Sequence, residues 1–525
     1  MPTNTRIPVI DWVKRHANLN PEKIALFDLQ TEVTFSFNFL DRRIDTLAAY
    51  LVSCGISAGD RVSFLSFNSS SVIEIILSCW RVGAICVPIN YRLSANEIIY
   101  IVKDAEPKIM FVDQEFSPVW DEVLEECSNL TTINTNSLGK NSDYENIIKN
   151  FSPYVKADEK FFDEQCMLMY SSGTTGKPKG VIITHRMVHF AVVGTLLWGV
   201  LNHDRVVLAN MPMFHIGCLA LCFPTLFSGA TLVIMRSFDP EKTLKAIDSP
   251  SVGITTVFGV PAAFNAMKNI PIVDSVDFSR LDTVITGAET VPNSLVSWWS
   301  KKGVILQEAW SMTETTASGC LLPKENIPLK AGSAGKLTIF NEIRIVKTDG
   351  NLAKTNELGE IQIRGATVTP GYWKNQLANE TSFDGEWFKT GDVGKIDNEQ
   401  FLYIKDRIKD MYISGGENVY PAEIENELHK MDEIEEVAII GVPDKKWGEV
   451  GSAFVKIKDG SELNIEDIRS FLKEKLAKFK WPLHMIKVPA LPRSGTGKVL
   501  KFELREKFGG QDGIRTHGGV SPSLP

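Results

Sequence analysis

Little in this chain points to metal-stapled, secreted, membrane-spanning or nucleic-acid-binding chemistry. Its 525 residues include only eight cysteines, all between Cys54 and Cys320, with no CxxC pair and no Cys/His spacing suited to zinc. Most lie in apolar surroundings such as Ile85-Cys86-Val87, the setting of free buried thiols in a reducing compartment. Cys218 and Cys222 are spaced for one helical face, where core packing is the expected role. Positive charge is also scarce: 56 Lys and Arg against 64 Asp and Glu leave a net −8, which argues against a general nucleic-acid binder. Long apolar runs are missing. The longest, near Ala191–Leu201 and Gly217–Phe227, fall short of the ~20 residues a spanning helix needs. The N-terminus has no charged segment followed by an apolar core, so no signal peptide is expected. These absences predict a cytoplasmic protein without a transmembrane segment, with peripheral membrane contact and a homodimer left open.

What is present is more specific. The length exceeds the ~150 residues of a typical domain, so at least two domains are expected. Leu40, Ile44, Leu47 and Leu51 mark one apolar stripe of a helix. Val62–Phe67 and Pro107–Val112 read as buried strands, and such alternation argues for layered α/β subdomains. Residues 131–158 are polar and read as an irregular loop region. After the charged run Lys405-Asp406-Arg407-Ile408-Lys409-Asp410, Pro421 opens a helix through Leu428. Val437–Gly441 and Gly451–Lys456 then read as strands of a small α+β domain. The Gly-, Ser- and Pro-rich tail, 509–525, is expected to be disordered.

Chemistry concentrates in Tyr170-Ser171-Ser172-Gly173-Thr174-Thr175-Gly176-Lys177-Pro178-Lys179-Gly180, which holds three glycines, four aliphatic hydroxyls and two lysines. Glycines let backbone amides converge, hydroxyls add rotatable donors and lysines add charge, together a phosphate cradle. It is not a Walker loop, because Pro178 follows Lys177 and no glycine lies five residues before Gly176. A surface linker is the plain alternative. The segment resembles the phosphate-binding signature of the adenylate-forming superfamily, which includes acyl-CoA synthetases, luciferases and peptide-synthetase adenylation domains.

Further segments resemble that family in order. Met211-Pro212-Met213-Phe214-His215 is similar to the gate beside its carboxylate pocket. Gly287-Ala288-Glu289 follows the apolar strand Thr283–Thr286, where α/β folds place nucleotides. Trp310-Ser311-Met312-Thr313-Glu314 resembles its aromatic-Gly-x-Thr-Glu motif, with Trp310 and Ser311 as departures. The resemblance implies that Trp310 stacks on adenine, Thr313 donates to phosphate and Glu314 gives Mg²⁺ a hard oxygen. Thr390-Gly391-Asp392 matches the family's ribose signature, Arg407 resembles its arginine that also reaches the ribose, and Lys409 occupies the position of its hinge. Leu491-Pro492-Arg493-Ser494-Gly495-Thr496-Gly497-Lys498 resembles the family's last signature, which implies that Lys498 neutralises charge at the α-phosphate. Lys475, Lys478 and Lys480 read as a solvated basic face more readily than as a CoA phosphate site.

The resemblance implies residues 1–408 as the adenylation domain, layered α/β plus a β-barrel-like part, and 409–508 as a small mobile C-terminal domain. It also implies an ATP-dependent acid–thiol ligase using Mg²⁺ and coenzyme A. A carboxylic acid attacks the α-phosphate of ATP; the small domain then rotates, so that Gly415-Gly416 lines a pantetheine tunnel. Free coenzyme A is the expected acceptor, since no room remains for a carrier domain. Fatty-acyl-CoA synthetases are the nearest pattern; crotonobetaine/carnitine and aryl/coumarate-type CoA ligases, a luciferase, and a catalytically silent nucleotide-binding paralogue stay open. The candidate acid pocket is Ile216, Gly217, Val257, Phe258 and Val260, apolar or small throughout.

Overall fold

A computed structural model describes residues 6–135, 142–153, 159–171, 178–289, 291–473, 475–493 and 499–508. The apolar stripe of the first half forms the helix Phe37–Ser53, in which Leu40, Ile44, Leu47 and Leu51 are fully buried. Ser36 caps it, its hydroxyl accepting from the Phe39 N–H at 3.2 Å. Strands Arg61–Leu65, Ile85–Pro88 and Ile109–Val112 are buried on both faces, Arg61 alone partly exposed, because the sheet is parallel there and covered by helices.

These strands belong to a six-stranded sheet that ends in the antiparallel hairpin Gln165–Ser171 and Lys179–Thr184. A nine-stranded sheet packs beside it, and its central strands, including Thr256–Gly259, Thr283–Gly287 and Leu306–Trp310, run parallel. Helices His185–Leu197 and Ile216–Ser228 pack on one another within the largest hydrophobic core. Cys218 and Cys222 share a face of the second helix with their Sγ atoms 3.9 Å apart, and all eight cysteines are free thiols. A five-stranded antiparallel sheet from Asn341 to Arg407 stands where the barrel-like part was expected.

The turn Ile408–Asp410 separates that sheet from a small α+β unit. Its five strands are built on the long hairpin Ile434–Asp444 and Gly448–Ile457, with helices Pro421–Leu428, Ile465–Leu472 and Lys501–Phe508. Among the described residues no helix is long and apolar enough to cross a membrane.

The reading of 131–158 as irregular loop is corrected. The segment contributes the parallel edge strand Thr131–Asn134 and the helix Asp143–Asn150. That helix is polar overall and is fixed by one buried anchor, Tyr144, whose hydroxyl donates to the fully buried Glu74.

Candidate functional site

A cavity of about 970 Å³ opens at the C-terminal ends of the parallel strands, between the two large sheets and the small unit. At one end stand Ser171 and Lys179, the last and first residues of the paired strands that flank the glycine-rich loop. Residues 172–177 lie outside the described residues, and with them the Ser172, Gly173, Thr174, Thr175 and Gly176 expectations. The stalk of this loop is clamped by a segment the sequence reading passed over. Ile182 N–H donates to Gly371 O at 3.1 Å and Trp373 N–H to Gly180 O at 2.8 Å. Tyr372, between them, lies 5.1 Å beneath the Lys179 ammonium, and its hydroxyl donates to Glu314 Oε1 at 3.0 Å. Pro370-Gly371 followed by two aromatics was the available signal.

Glu314 sits in the one-turn helix Thr313–Thr315, followed by Thr316 and Ala317 at φ 55° and 53°. Two successive non-glycine residues in the left-handed region are strained, and such strain collects at functional turns. Burial raises the Glu314 carboxyl above its usual range, while the Tyr372 hydroxyl and the Arg407 charge pull it back. The described residues contain no cluster of three or more metal-ligating side chains. A single hard carboxylate fits Mg²⁺, which takes one or two protein oxygens and completes its shell from phosphate and water.

Gly287 and Ala288 line the cavity at the end of the strand Thr283–Gly287. A Cβ on Gly287 would sit 2.3 Å from Ala309 O, so the neighbouring strand already requires glycine there. Ala288 has φ 71°, a second strained position on the cavity wall. Ala309, Ser311 and Thr313 line the cavity as well. Trp310 stands between Ala309 and Ser311, and its indole is largely buried, 9% exposed. Its N–H donates to Asp392 Oδ2 at 2.8 Å, while Arg407 Nε lies 3.1 Å from Oδ1. Arg407 and Lys409 reach the cavity. Partial burial, then the charges of Arg407 and Lys179, push the Lys409 ammonium down to about 8, with Asp410 acting in the opposite sense. Lys179, Arg407 and Lys409 thus converge where an anion would be held.

The other end of the cavity is apolar. Phe214 and His215 line it, and His215 caps the helix Ile216–Ser228. Its Nδ1 accepts from Gly217 N–H at 3.1 Å, which places the imidazole proton on Nε2. Burial pushes the ring down to about 4, so it is neutral at physiological pH. Ile216, Gly217 and Phe258 line the wall as expected, joined by Thr195, Trp198, Ala220 and Leu221. Val257 and Val260 do not. Val257 points to the opposite face of its strand and is packed in a separate core with Leu208 and Val284, and Val260 is buried.

The small unit closes the cavity with Arg493 and Leu500. Arg493 Nη2 lies 3.0 Å from Glu436 within its own unit, and Nη1 reaches across to 3.8 Å from Glu289, whose own side chain stands outside the lining. Lys498, in the loop between the paired residues Arg493 and Val499, lies outside the described residues. Gly415 and Gly416 are not at this cavity. They form the two-residue turn of the hairpin Tyr412–Val419 at φ 60° and 88°, values that a type I′ turn demands of glycine. Of the three basic-face lysines, Lys480 pairs with Glu423 at 2.8 Å and Lys475 donates to Phe471 O.

Comparison with known proteins accords with this geometry. The AMP-binding enzyme family matches residues 13–373, and the AMP-binding enzyme C-terminal domain matches residues 423–498. The chain is 36% identical over 504 residues to a long-chain-fatty-acid–CoA ligase of Mycobacterium tuberculosis, covering 95% of this chain and 98% of that one. It is 34% identical over 499 residues to a feruloyl-CoA synthase of an Amycolatopsis species, with the same coverage of 95% and 98%. The structure of o-succinylbenzoate coenzyme A synthetase from Bacillus subtilis with ATP and magnesium superimposes with a TM-score of 0.83 at 30% identity, covering 95% of this chain and all of the other.

Proposed function

Because the chain belongs to the AMP-binding enzyme family and is an ATP-dependent, AMP-forming acyl-CoA ligase, we propose that its acid is a medium- or long-chain fatty acid. ATP, Mg²⁺ and coenzyme A are its cofactors. The observation carrying the fatty-acid reading is the wall that helices His185–Leu197 and Ile216–Ser228 and the strand Thr256–Gly259 give the cavity. Thr195, Ile216, Gly217, Ala220, Leu221 and Phe258 bear no charge, so nothing on this wall pairs with a second carboxylate or a quaternary ammonium. Neutral His215, with its proton on Nε2, offers a donor at the junction with the polar end, where the carboxylate would lie.

In this reading the acid carboxylate attacks the α-phosphate, giving acyl-adenylate and pyrophosphate. Lys179 and the glycine-rich loop hold the β- and γ-phosphates, and Lys498 neutralises charge at the α-phosphate. Mg²⁺, when bound at Glu314, shields the phosphate charges. A thiol then displaces AMP from the mixed anhydride. Before that step the small domain turns about Lys409 and brings Gly415-Gly416 to the cavity.

An aryl-propenoic acid is the second reading, supported by the aromatic Phe258 and Trp198 on the wall and by the likeness to a feruloyl-CoA synthase. A panel of acids assayed by AMP release separates the two. Each buried methylene contributes about 0.8 kcal/mol, so kcat/KM should rise roughly fourfold per added carbon until the chain fills the channel. A flat profile across linear acids, with a cinnamate-type acid preferred, would replace the fatty-acid reading.

A further inference from the structure

The segment 369–373 fastens together two parts of the cavity that are far apart in the chain. On one side it holds the return strand of the glycine-rich hairpin. Ile182 N–H donates to Gly371 O at 3.1 Å, Trp373 N–H donates to Gly180 O at 2.8 Å, and the Thr369 hydroxyl donates to Ile182 O at 2.7 Å. On the other side it holds the turn that carries Glu314, whose backbone carbonyl accepts from Thr369 N–H at 2.8 Å. The segment is itself held by Asn379, whose Oδ1 accepts the Tyr372 N–H at 2.6 Å and whose Nδ2 donates to Tyr372 O at 3.1 Å. From this fixed base Tyr372, 6% exposed, meets both charges of the site. Its ring lies 5.1 Å from the Lys179 ammonium, and its hydroxyl donates to Glu314 Oε1 at 3.0 Å. All three side chains belong to residues that line the cavity. A glutamate carboxylate ends a chain of three torsions, the last of them broad, so it keeps one orientation only when something holds it. The phenol occupies one of about four lone-pair sites and, being uncharged, leaves the carboxylate its negative charge. A lysine or arginine in the same place would hold the group but cancel that charge.

We propose that Tyr372 is a positioning residue for the divalent cation of the metal–nucleotide complex: its hydroxyl aims the Glu314 carboxylate without neutralising it. This rests on Glu314 as the Mg²⁺ ligand, so the experiment tests the two statements separately. Binding is measured by calorimetry in the absence of the acid, once with Mg²⁺–ATP and once with ATP in EDTA. The proteins are wild type, Glu314→Gln, Tyr372→Phe, the double variant, and Tyr372→4-aminophenylalanine. Phenylalanine keeps the ring beside Lys179 and removes the hydroxyl alone. The amino analogue restores an uncharged donor at the same place, which guards against a packing defect in the phenylalanine variant.

The expected result is a rise of about tenfold in Kd for Mg²⁺–ATP in Tyr372→Phe, the loss of one hydrogen bond to a charged group, with less than about a twofold change for ATP in EDTA. The 4-aminophenylalanine variant should return to within about threefold of wild type for Mg²⁺–ATP, and adding Tyr372→Phe to Glu314→Gln should have no further effect. Equal losses with and without the metal in Tyr372→Phe would overturn the proposal in favour of mere packing of the segment 369–373. Unchanged Mg²⁺–ATP affinity in Tyr372→Phe, with affinity lost in Glu314→Gln, would overturn the role of Tyr372 alone. Equal Mg²⁺–ATP affinity in wild type and Glu314→Gln would overturn Glu314 as the metal ligand and the inference with it.

Discussion

Glu308 stands two residues before Trp310, and burial pushes its carboxyl up to about 7, only partly offset by the Gly332 N–H. A carboxyl whose folded value lies above its unfolded value binds its proton more tightly when folded. Its stabilisation is therefore complete below about 4.5 and is lost as pH rises through 7. His185 and His215 act in the opposite sense: burial pushes both down to about 4, so they remove stability as pH falls below about 6.5. The two effects oppose each other across the same window and flatten the wild-type profile. Glu308→Gln exposes the underlying slope. At pH 8 the variant should be more stable than wild type, by on the order of 3 kcal/mol, and the two should converge near pH 4.5. Thermal melts across pH check this, and a pH-independent difference would show that Glu308 ionises normally in the folded chain. At this scale motif spacing pointed to Glu314, Arg407 and Lys409, which the fold brings to one cavity. It passed over Tyr372. Which partner a side chain takes depends on what the fold brings to it, and Trp310 takes Asp392, 82 residues on.

Local pattern decided elements when one face carried the packing. The helix Phe37–Ser53 was legible because its leucine stripe is long and its cap is local. The helix Asp143–Asn150 was not, because what holds it is a polar network assembled from three helices. Arg43 lies 2.7 Å from Glu74 and 2.6 Å from Glu145, and Tyr144 also donates to Glu74. Gly415-Gly416 shows the converse: a turn requirement explains these glycines where they stand, whatever further use the small domain makes of them. Glu74 is fully buried, so its charge is tolerable only while Arg43 faces it. Arg43→Met should therefore destabilise by about 3–5 kcal/mol in denaturant unfolding, and Arg43→Met with Glu74→Leu should recover part of that loss. A double variant no more stable than the single one would assign the cost to packing of the long arginine side chain instead.

The order of the motifs along the chain revealed the family, but not how the small domain lies against the large one, since no local pattern encodes that contact. The structure puts several fixed interactions around the turn at Lys409. Asp406, on the large-domain strand, accepts the Ala422 N–H at 2.9 Å from the start of the small-domain helix. Burial pushes the Asp406 carboxyl up to about 6, while the charge of Lys501 pulls it back. Lys501 pairs with Glu425 at 2.8 Å, and Arg505 with Asp410 at the same distance, so the last helix is anchored at the turn itself. Together with Arg493 near Glu289, these contacts hold the described part of the small unit, Arg493 and Leu500 included, against the cavity. If, as proposed, the small domain turns before the second half-reaction, these contacts must be released and the turn must absorb the change in backbone angles. Proline at 409 would fix φ near −65° and restrict the preceding residue. Lys409→Pro should leave ATP–pyrophosphate exchange within about threefold of wild type while lowering CoA-thioester formation from supplied acyl-adenylate by about a hundredfold, roughly 2.7 kcal/mol on that barrier. Lys498→Ala should do the reverse, abolishing exchange and sparing thioester formation. If both variants lose both half-reactions in equal measure, one fixed arrangement serves both steps and the turn at Lys409 is a linker only; if Lys409→Pro alone spares both, the pivot lies elsewhere in the run from Lys405 to Asp410.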